Sequence, residues 1–258
     1  MVLVARDLLL AEGSWKPGFG VIHGGERGLD RPDQAREIGH VGDFEEYQRD
    51  LAMMFAFIES HKLAKPLILL GHSMGGCIGL RALHNQVPVK GAVFTGPMWE
   101  IEFSPLMGVI AKLLAKILNA TPLKMALAPS TKAETYVLTQ EFAGNLLTND
   151  AETYQNLVDQ AKKRPEVTLG GPTISWLHAA FCETAKLQQL PAPSVPTVTF
   201  LGDQEQIVSK KAVYNMMERW PSGRLEIAEG CQHEILMENK ATRDRVFRAI
   251  RELAEAPR

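Results

Sequence analysis

Leu67-Ile68-Leu69-Leu70-Gly71-His72-Ser73-Met74-Gly75-Gly76 is the stretch on which the fold turns. Four successive aliphatic residues suit a strand buried on both faces, as in the middle of a parallel sheet. Gly71-His72-Ser73-Met74-Gly75 is a G-x-S-x-G string, and the residues after it, Met74 to Asn85, carry a helical pattern. Strand, tight turn and helix in that order are the context in which such a serine is a nucleophile. The turn lifts the hydroxyl above the sheet, and glycines two positions to either side let neighbouring backbone approach. The helix aims its first amides at the place where negative charge develops during acyl transfer.

Working outward, further short apolar runs predict strands at Phe19 to Ile22, Val89 to Thr95, Pro196 to Leu201 and Arg224 to Ala228. Helical patterns fall between them at Phe44 to His61, Lys210 to Trp220 and Lys240 to Glu255. This alternation predicts an α/β fold, a mostly parallel sheet flanked by helices. It is interrupted between about Gly96 and Pro193, where helices are expected at Pro105 to Asn119, Lys132 to Leu147, Ala151 to Lys163 and Pro172 to Leu187. The organisation is therefore a core of residues 1–96 and 194–258 with a helical insertion at 97–193. The first helix of that insertion is apolar over more than one face, with Lys112 and Lys116 on its wet side.

The 258 residues carry 28 Lys+Arg against 30 Asp+Glu, a net charge of -2, which lacks the basic footprint of a nucleic-acid binder. No apolar run reaches the ~18–20 residues of a membrane span, and no signal-peptide pattern opens the chain. Three widely spaced cysteines argue against a disulfide framework or a structural zinc site. The chain reads as soluble, reduced and cytoplasmic, with no metal or organic cofactor required.

A serine needs a base, and the base needs an acid to orient it. His233 lies just after the last strand, in Glu229-Gly230-Cys231-Gln232-His233-Glu234, where loops line the active crevice of a doubly wound sheet. His72 adjoins Ser73, but its side chain is expected to point away from the hydroxyl. The acid belongs on the loop after the preceding strand, Gly202-Asp203-Gln204-Glu205-Gln206-Ile207-Val208. Spacing alone does not choose between Asp203 and Glu205.

Elbow, carboxylate loop and His-Glu loop, in that order, resemble the α/β-hydrolase fold, and within it the lysophospholipase L2 and monoacylglycerol lipase group, also classed with serine aminopeptidase-like hydrolases. The resemblance runs from about Phe19 to the C-terminus. It rests on the Gly71 to Gly76 motif, on Gly39-His40-Val41-Gly42-Asp43-Phe44 leading to Tyr47, and on Gly230-Cys231-Gln232-His233-Glu234-Ile235-Leu236. The family's acid loop reads glycine, two variable residues, the acid, one residue and two apolar residues. Laid on Gly202 and Ile207-Val208, it implies Glu205 as the acid, with Asp203 as the alternative because aspartate is usual in the fold. The resemblance also implies that 97–193 is a helical cap whose apolar surface receives an acyl chain. Trp176 and Phe181 are candidates to line that pocket, although aromatic residues at helical spacing are more often plain core.

The implied activity is a serine esterase of lipid metabolism cleaving lysophospholipids or monoacylglycerols, with the Met74 amide in the oxyanion hole. The alternatives are a short-chain carboxylesterase or a truncated, catalytically weak relative. Peripheral contact with lipid through the cap is compatible with the sequence. At the N-terminus, Met1 to Leu9 reads as the helix that follows the family's early His-Gly loop, so that loop and its strand are expected to be missing. Gly24, in His23-Gly24-Gly25, is a candidate second oxyanion donor. The competing and favoured reading places Gly25-Glu26-Arg27-Gly28 one strand later in the family's pattern.

Overall fold

The computed structural model describes residues 2–6, 19–23, 39–63, 65–165 and 168–257. Its sheet is built from β1 (Val2–Arg6), β2 (Phe19–His23), β3 (Leu67–His72), β4 (Gly91–Thr95), β5 (Thr197–Gly202) and β6 (Gly223–Ala228), in the spatial order β2-β1-β3-β4-β5-β6. The four strands from β3 to β6 run parallel. Helices α1 (Glu45–Ser60), α2 (Met74–His84), α7 (Lys210–Glu218) and α8 (Lys240–Glu255) are the crossovers and the C-terminal cover. The fold class expected from the sequence is the one observed.

The Leu67–Leu70 run explains how the sheet is covered. Successive residues of a strand face opposite ways. Leu67 and Leu69 join one core with Ala92, Phe94 and Leu201, under residues of α1, α2 and α7. Ile68 and Leu70 join the other with Val93, Val198 and Phe200, under Val246, Ala249 and Ile250 of α8. An unbroken apolar run is what a strand needs when both faces are dry.

Two expectations are corrected. Within the helix expected over Met1 to Leu9, the described residues Val2–Arg6 are instead a strand, antiparallel to both β2 and β3. Its register sets Val2 beside Leu70 and Val4 beside Ile68, so it supplies ladder partners to an edge of β3 that would otherwise stand open. The helix expected over Lys132 to Leu147 shrinks to one turn, α4 (Tyr136–Thr139). Here side chains compete for the backbone: the Asn145 amide donates to the carbonyls of Phe142 and Thr148, and its oxygen accepts from the amides of Leu147 and Thr148.

Between β4 and β5 lie α3 (Pro105–Asn119), α4, α5 (Ala151–Lys163) and α6 (Ile174–Gln189). Among the described residues no helix is long and apolar enough to cross a membrane. α3 presents Leu106, Val109, Leu113 and Ile117 to solvent and buries Ala115. α6 is the anchor of this segment. Its N-cap, Thr173, donates its amide to the Gly39 carbonyl, and Trp176 Nε1 donates to the Tyr47 hydroxyl at 3.3 Å. These contacts use the motif at Gly39 to Tyr47.

Deeper along α6, Glu183 meets Arg81 of α2 in a two-pronged pair, with Nε at 2.6 Å from Oε1 and Nη2 at 2.9 Å from Oε2. Both residues are buried, at 9% and 8% exposure. Removing one partner leaves a largely buried charge without its hydrogen-bonded counter-ion. Glu183→Ala is therefore expected to cost about 3–5 kcal/mol in urea unfolding. A loss near zero would show that water reaches the guanidinium.

Candidate active site

Ser73 stands between β3 and α2 with φ 51° and ψ -120°, a left-handed conformation that side chains avoid. It persists because its neighbours hold it. The Ser73 amide donates to the Thr95 carbonyl at 3.1 Å, and its carbonyl accepts from the amides of Gly76 and Met98, both at 2.8 Å. A side chain at Gly71 would place its Cβ 2.7 Å from the Gly75 carbonyl oxygen, so the turn closes only around glycine. Met74 is the first residue of α2, where a helical amide has no acceptor of its own.

His233 and Glu205 come together from the loops after β6 and β5. His233 Nδ1 donates to Glu205 Oε2 at 2.7 Å, and the two residues are 3% and 2% exposed. The other carboxylate oxygen, Oε1, accepts from the amides of Ile207 at 2.7 Å and Val208 at 3.1 Å. Burial works against the charged carboxylate. The His233 hydrogen bond, the His233 charge and the two amides outweigh it and hold Glu205 below the usual glutamate range. With Nδ1 donating, the neutral imidazole keeps its lone pair on Nε2. Asp203 is exposed; its amide donates to the Ala228 carbonyl, and its own carbonyl accepts from Lys210 Nζ.

Gly96, just after β4, marks in the sequence only the point where the alternation stops. With φ +48° it sits under the pair, and a Cβ there would lie 3.1 Å from His233 Nδ1 and 3.3 Å from Glu205 Oε2. His72 is also closer to the site than its position suggested. Its ring lies 4.9 Å from that of His233, and its Nε2 is 3.1 Å from Glu234 Oε2. Burial lowers the affinity of His72 for a proton, but the charge and hydrogen bond of Glu234, with the Thr95 carbonyl, raise it above the ordinary histidine value. The signal for His72 and Glu234 lies in their adjoining Ser73 and His233 in the sequence.

Residues 145–149 clamp the histidine loop from the insertion side. Glu234 donates its amide to the Leu147 carbonyl at 2.8 Å, Thr148 Oγ1 donates to the Met237 carbonyl at 3.0 Å, and Asn149 Nδ2 donates to the Gly230 carbonyl at 2.7 Å. Gln232 returns a bond from Nε2 to Asn149 Oδ1, and buried Glu238 accepts the Gln232 amide at 2.8 Å. Trp176 is half-buried, tilted on Phe44 at 6.0 Å. Phe181 is buried beside Phe103. Both rings are thus engaged in packing. Gly24 lies outside the described residues.

The chain is 26% identical over 251 residues to lysophospholipase L2 of Escherichia coli, which covers 90% of this chain and 71% of that protein. It is 26% identical over 215 residues to monoglyceride lipase of Homo sapiens, covering 81% of this chain and 65% of that one. Among solved structures, a soluble variant of the Saccharomyces cerevisiae monoglyceride lipase in complex with a substrate analogue superposes with a TM-score of 0.63 at 20% identity, over 92% of this chain and 76% of that chain. The sequence profile of the serine aminopeptidase, S33 family matches residues 12–240. With its α/β-hydrolase fold, this chain belongs to the serine aminopeptidase, S33 family of hydrolases.

Proposed function

We propose that the chain cleaves carboxylic esters of lipid-like alcohols, of the lysophospholipid or monoacylglycerol kind, through an acyl-enzyme on Ser73. The observation that carries this reading is the buried His233–Glu205 pair, joined at 2.7 Å on loops that follow strands of the same sheet as the Ser73 elbow. Ser73 Oγ attacks the ester carbonyl as His233 Nε2 takes its proton. Glu205 holds the imidazole tautomer and stabilises the imidazolium. The Met74 amide receives the oxyanion. The protonated His233 then gives its proton to the departing alcohol, and the same nitrogen activates the water that releases the fatty acid. No step asks for a metal or an organic cofactor.

Residues 97–193 are the cap of this reading. The apolar side chains of α3, Leu106, Val109, Leu113 and Ile117, offer a surface for an acyl chain or for peripheral contact with lipid. A p-nitrophenyl ester series from short to long acyl chains tests the substrate class. If the cap buries the chain, kcat/KM rises about fourfold for each added methylene until the pocket is full, from ~0.8 kcal/mol per buried methylene. Turnover confined to the shortest esters would make the enzyme a short-chain carboxylesterase. No turnover above a Ser73→Ala control would make it a hydrolase-like protein with little catalysis.

A further inference from the structure

The reaction scheme leaves two charged side chains at the site without a task. His72 directly precedes the nucleophile, and Glu234 directly follows the base. Their side chains meet at 3.1 Å, half-buried, at 27% and 20% exposure. On its other side, His72 Nδ1 lies 2.9 Å from the Thr95 carbonyl oxygen and 3.1 Å from the Thr95 hydroxyl. A carbonyl only accepts, and so does an ionised carboxylate. An imidazole ring with such a neighbour at each nitrogen satisfies both only when both nitrogens carry hydrogen. The arrangement favours the doubly protonated ring, paired as an ion pair with Glu234.

The sheet order gives that pair something to do. β3 and β6 are not neighbours, because β4 and β5 lie between them. Three strand spacings separate the ladders by on the order of 14 Å, so a nucleophile after β3 and a base after β6 can meet only where loops reach across the gap. Each end of the ion pair is fixed separately. The Thr95 carbonyl accepts from both His72 Nδ1 and the Ser73 amide, and the Glu234 amide donates to the Leu147 carbonyl.

We propose that His72 and Glu234 are positioning residues, a charged brace from the residue before the nucleophile to the residue after the base, which sets the separation of Ser73 and His233. This rests on the serine-hydrolase reading above. The titratable groups that face one another here are His72, Glu234, Glu205 and His233. The brace contributes one charge of each sign. Neutralising it removes both, so the field at His233 changes little while the geometry loosens.

The test is a double-mutant cycle, Glu234→Ala, His72→Ala and the pair together, with Glu234→Gln beside it. Each is assayed on the p-nitrophenyl ester that the wild type cleaves best, with kcat, KM, the pH profile and a thermal melt. Glu234→Ala is expected to lose on the order of 10²-fold in kcat, the scale of a small misplacement of reacting groups, with KM and the acidic limb of the profile unchanged. Because the two side chains act as one unit, the double variant loses no more than the worse single. Glu234→Gln keeps a neutral hydrogen bond and falls severalfold, by less than about tenfold.

Additive losses, a wild-type kcat in Glu234→Ala, or a displaced acidic limb that accounts for the whole loss would each overturn the brace. Should Glu234→Ala fail to fold, Glu234→Gln decides alone. A lowered kcat at unchanged KM and pH limb supports the proposal, and a wild-type kcat or a moved limb overturns it. Retention of more than a few per cent of turnover in Ser73→Ala removes the Ser73-nucleophile reading on which the brace rests. An inactive Ser73→Ala with a fully active Glu234→Ala removes only the brace.

Discussion

Ser73→Ala is expected to lower kcat on the best ester by about 10⁶-fold while the protein keeps its melting temperature. The hydroxyl is the only group removed, and the backbone bonds that hold residue 73 at φ 51°, to Thr95, Gly76 and Met98, survive the change. KM should move little, because the serine meets the acyl carbonyl as a bond rather than as a binding contact. A residual rate above solvent is expected from the oxyanion donor and from substrate orientation. Retention of more than a few per cent of activity would place the nucleophile elsewhere in the chain.

The second large effect is expected at Glu205→Gln, with a fall of about 10⁴-fold in kcat. Glu205 Oε1 faces two amides, those of Ile207 and Val208, so the glutamine must put its carbonyl oxygen there. Its NH2 then faces His233 Nδ1, which sits 2.7 Å from Oε2 in the native protein. An NH2 only donates. Nδ1 has to accept from it, the ring proton moves to Nε2, and His233 no longer has the lone pair with which to take a proton from Ser73. Asp203→Asn, on an exposed side chain, should stay within about twofold of wild type. A large loss at Asp203 with little at Glu205 would exchange their roles. Steady-state kinetics on the three purified proteins decides it.

These residues also show what the sequence could disclose. Leu67 to Leu70 announced a strand dry on both faces, and the parallel sheet followed from it, because that pattern is local and has few other solutions. Val2–Arg6 was harder. Its apolar residues suit a helix as well as a strand, and pairing with β2 and with the distant β3 makes the strand. Residues 132–147 carried a helical pattern that Asn145 overrode through its own backbone bonds. At the candidate site, spacing left Asp203 and Glu205 level, while burial and contact with His233 separate them. The His72–Glu234 pair joins residues 162 positions apart, from 72 to 234, and no local pattern encodes such a meeting. Gly96 was likewise invisible as a site residue, since its neighbours there come from other loops.

The bonds from residues 145–149 to the histidine loop bear on how this fold can be re-engineered. The segment between β4 and β5 looks like an interchangeable module, inserted at one place and free to vary in length. It is not self-contained. Leu147, Thr148 and Asn149 supply the partners of Glu234, Met237, Gly230 and Gln232. A chimaera that grafts in a foreign segment to change substrate preference would also strip the scaffolding from around His233, and its loss of rate could be mistaken for a loss of fit to the new substrate. Grafts that end before Asn145 and leave 145–149 in place would separate the two.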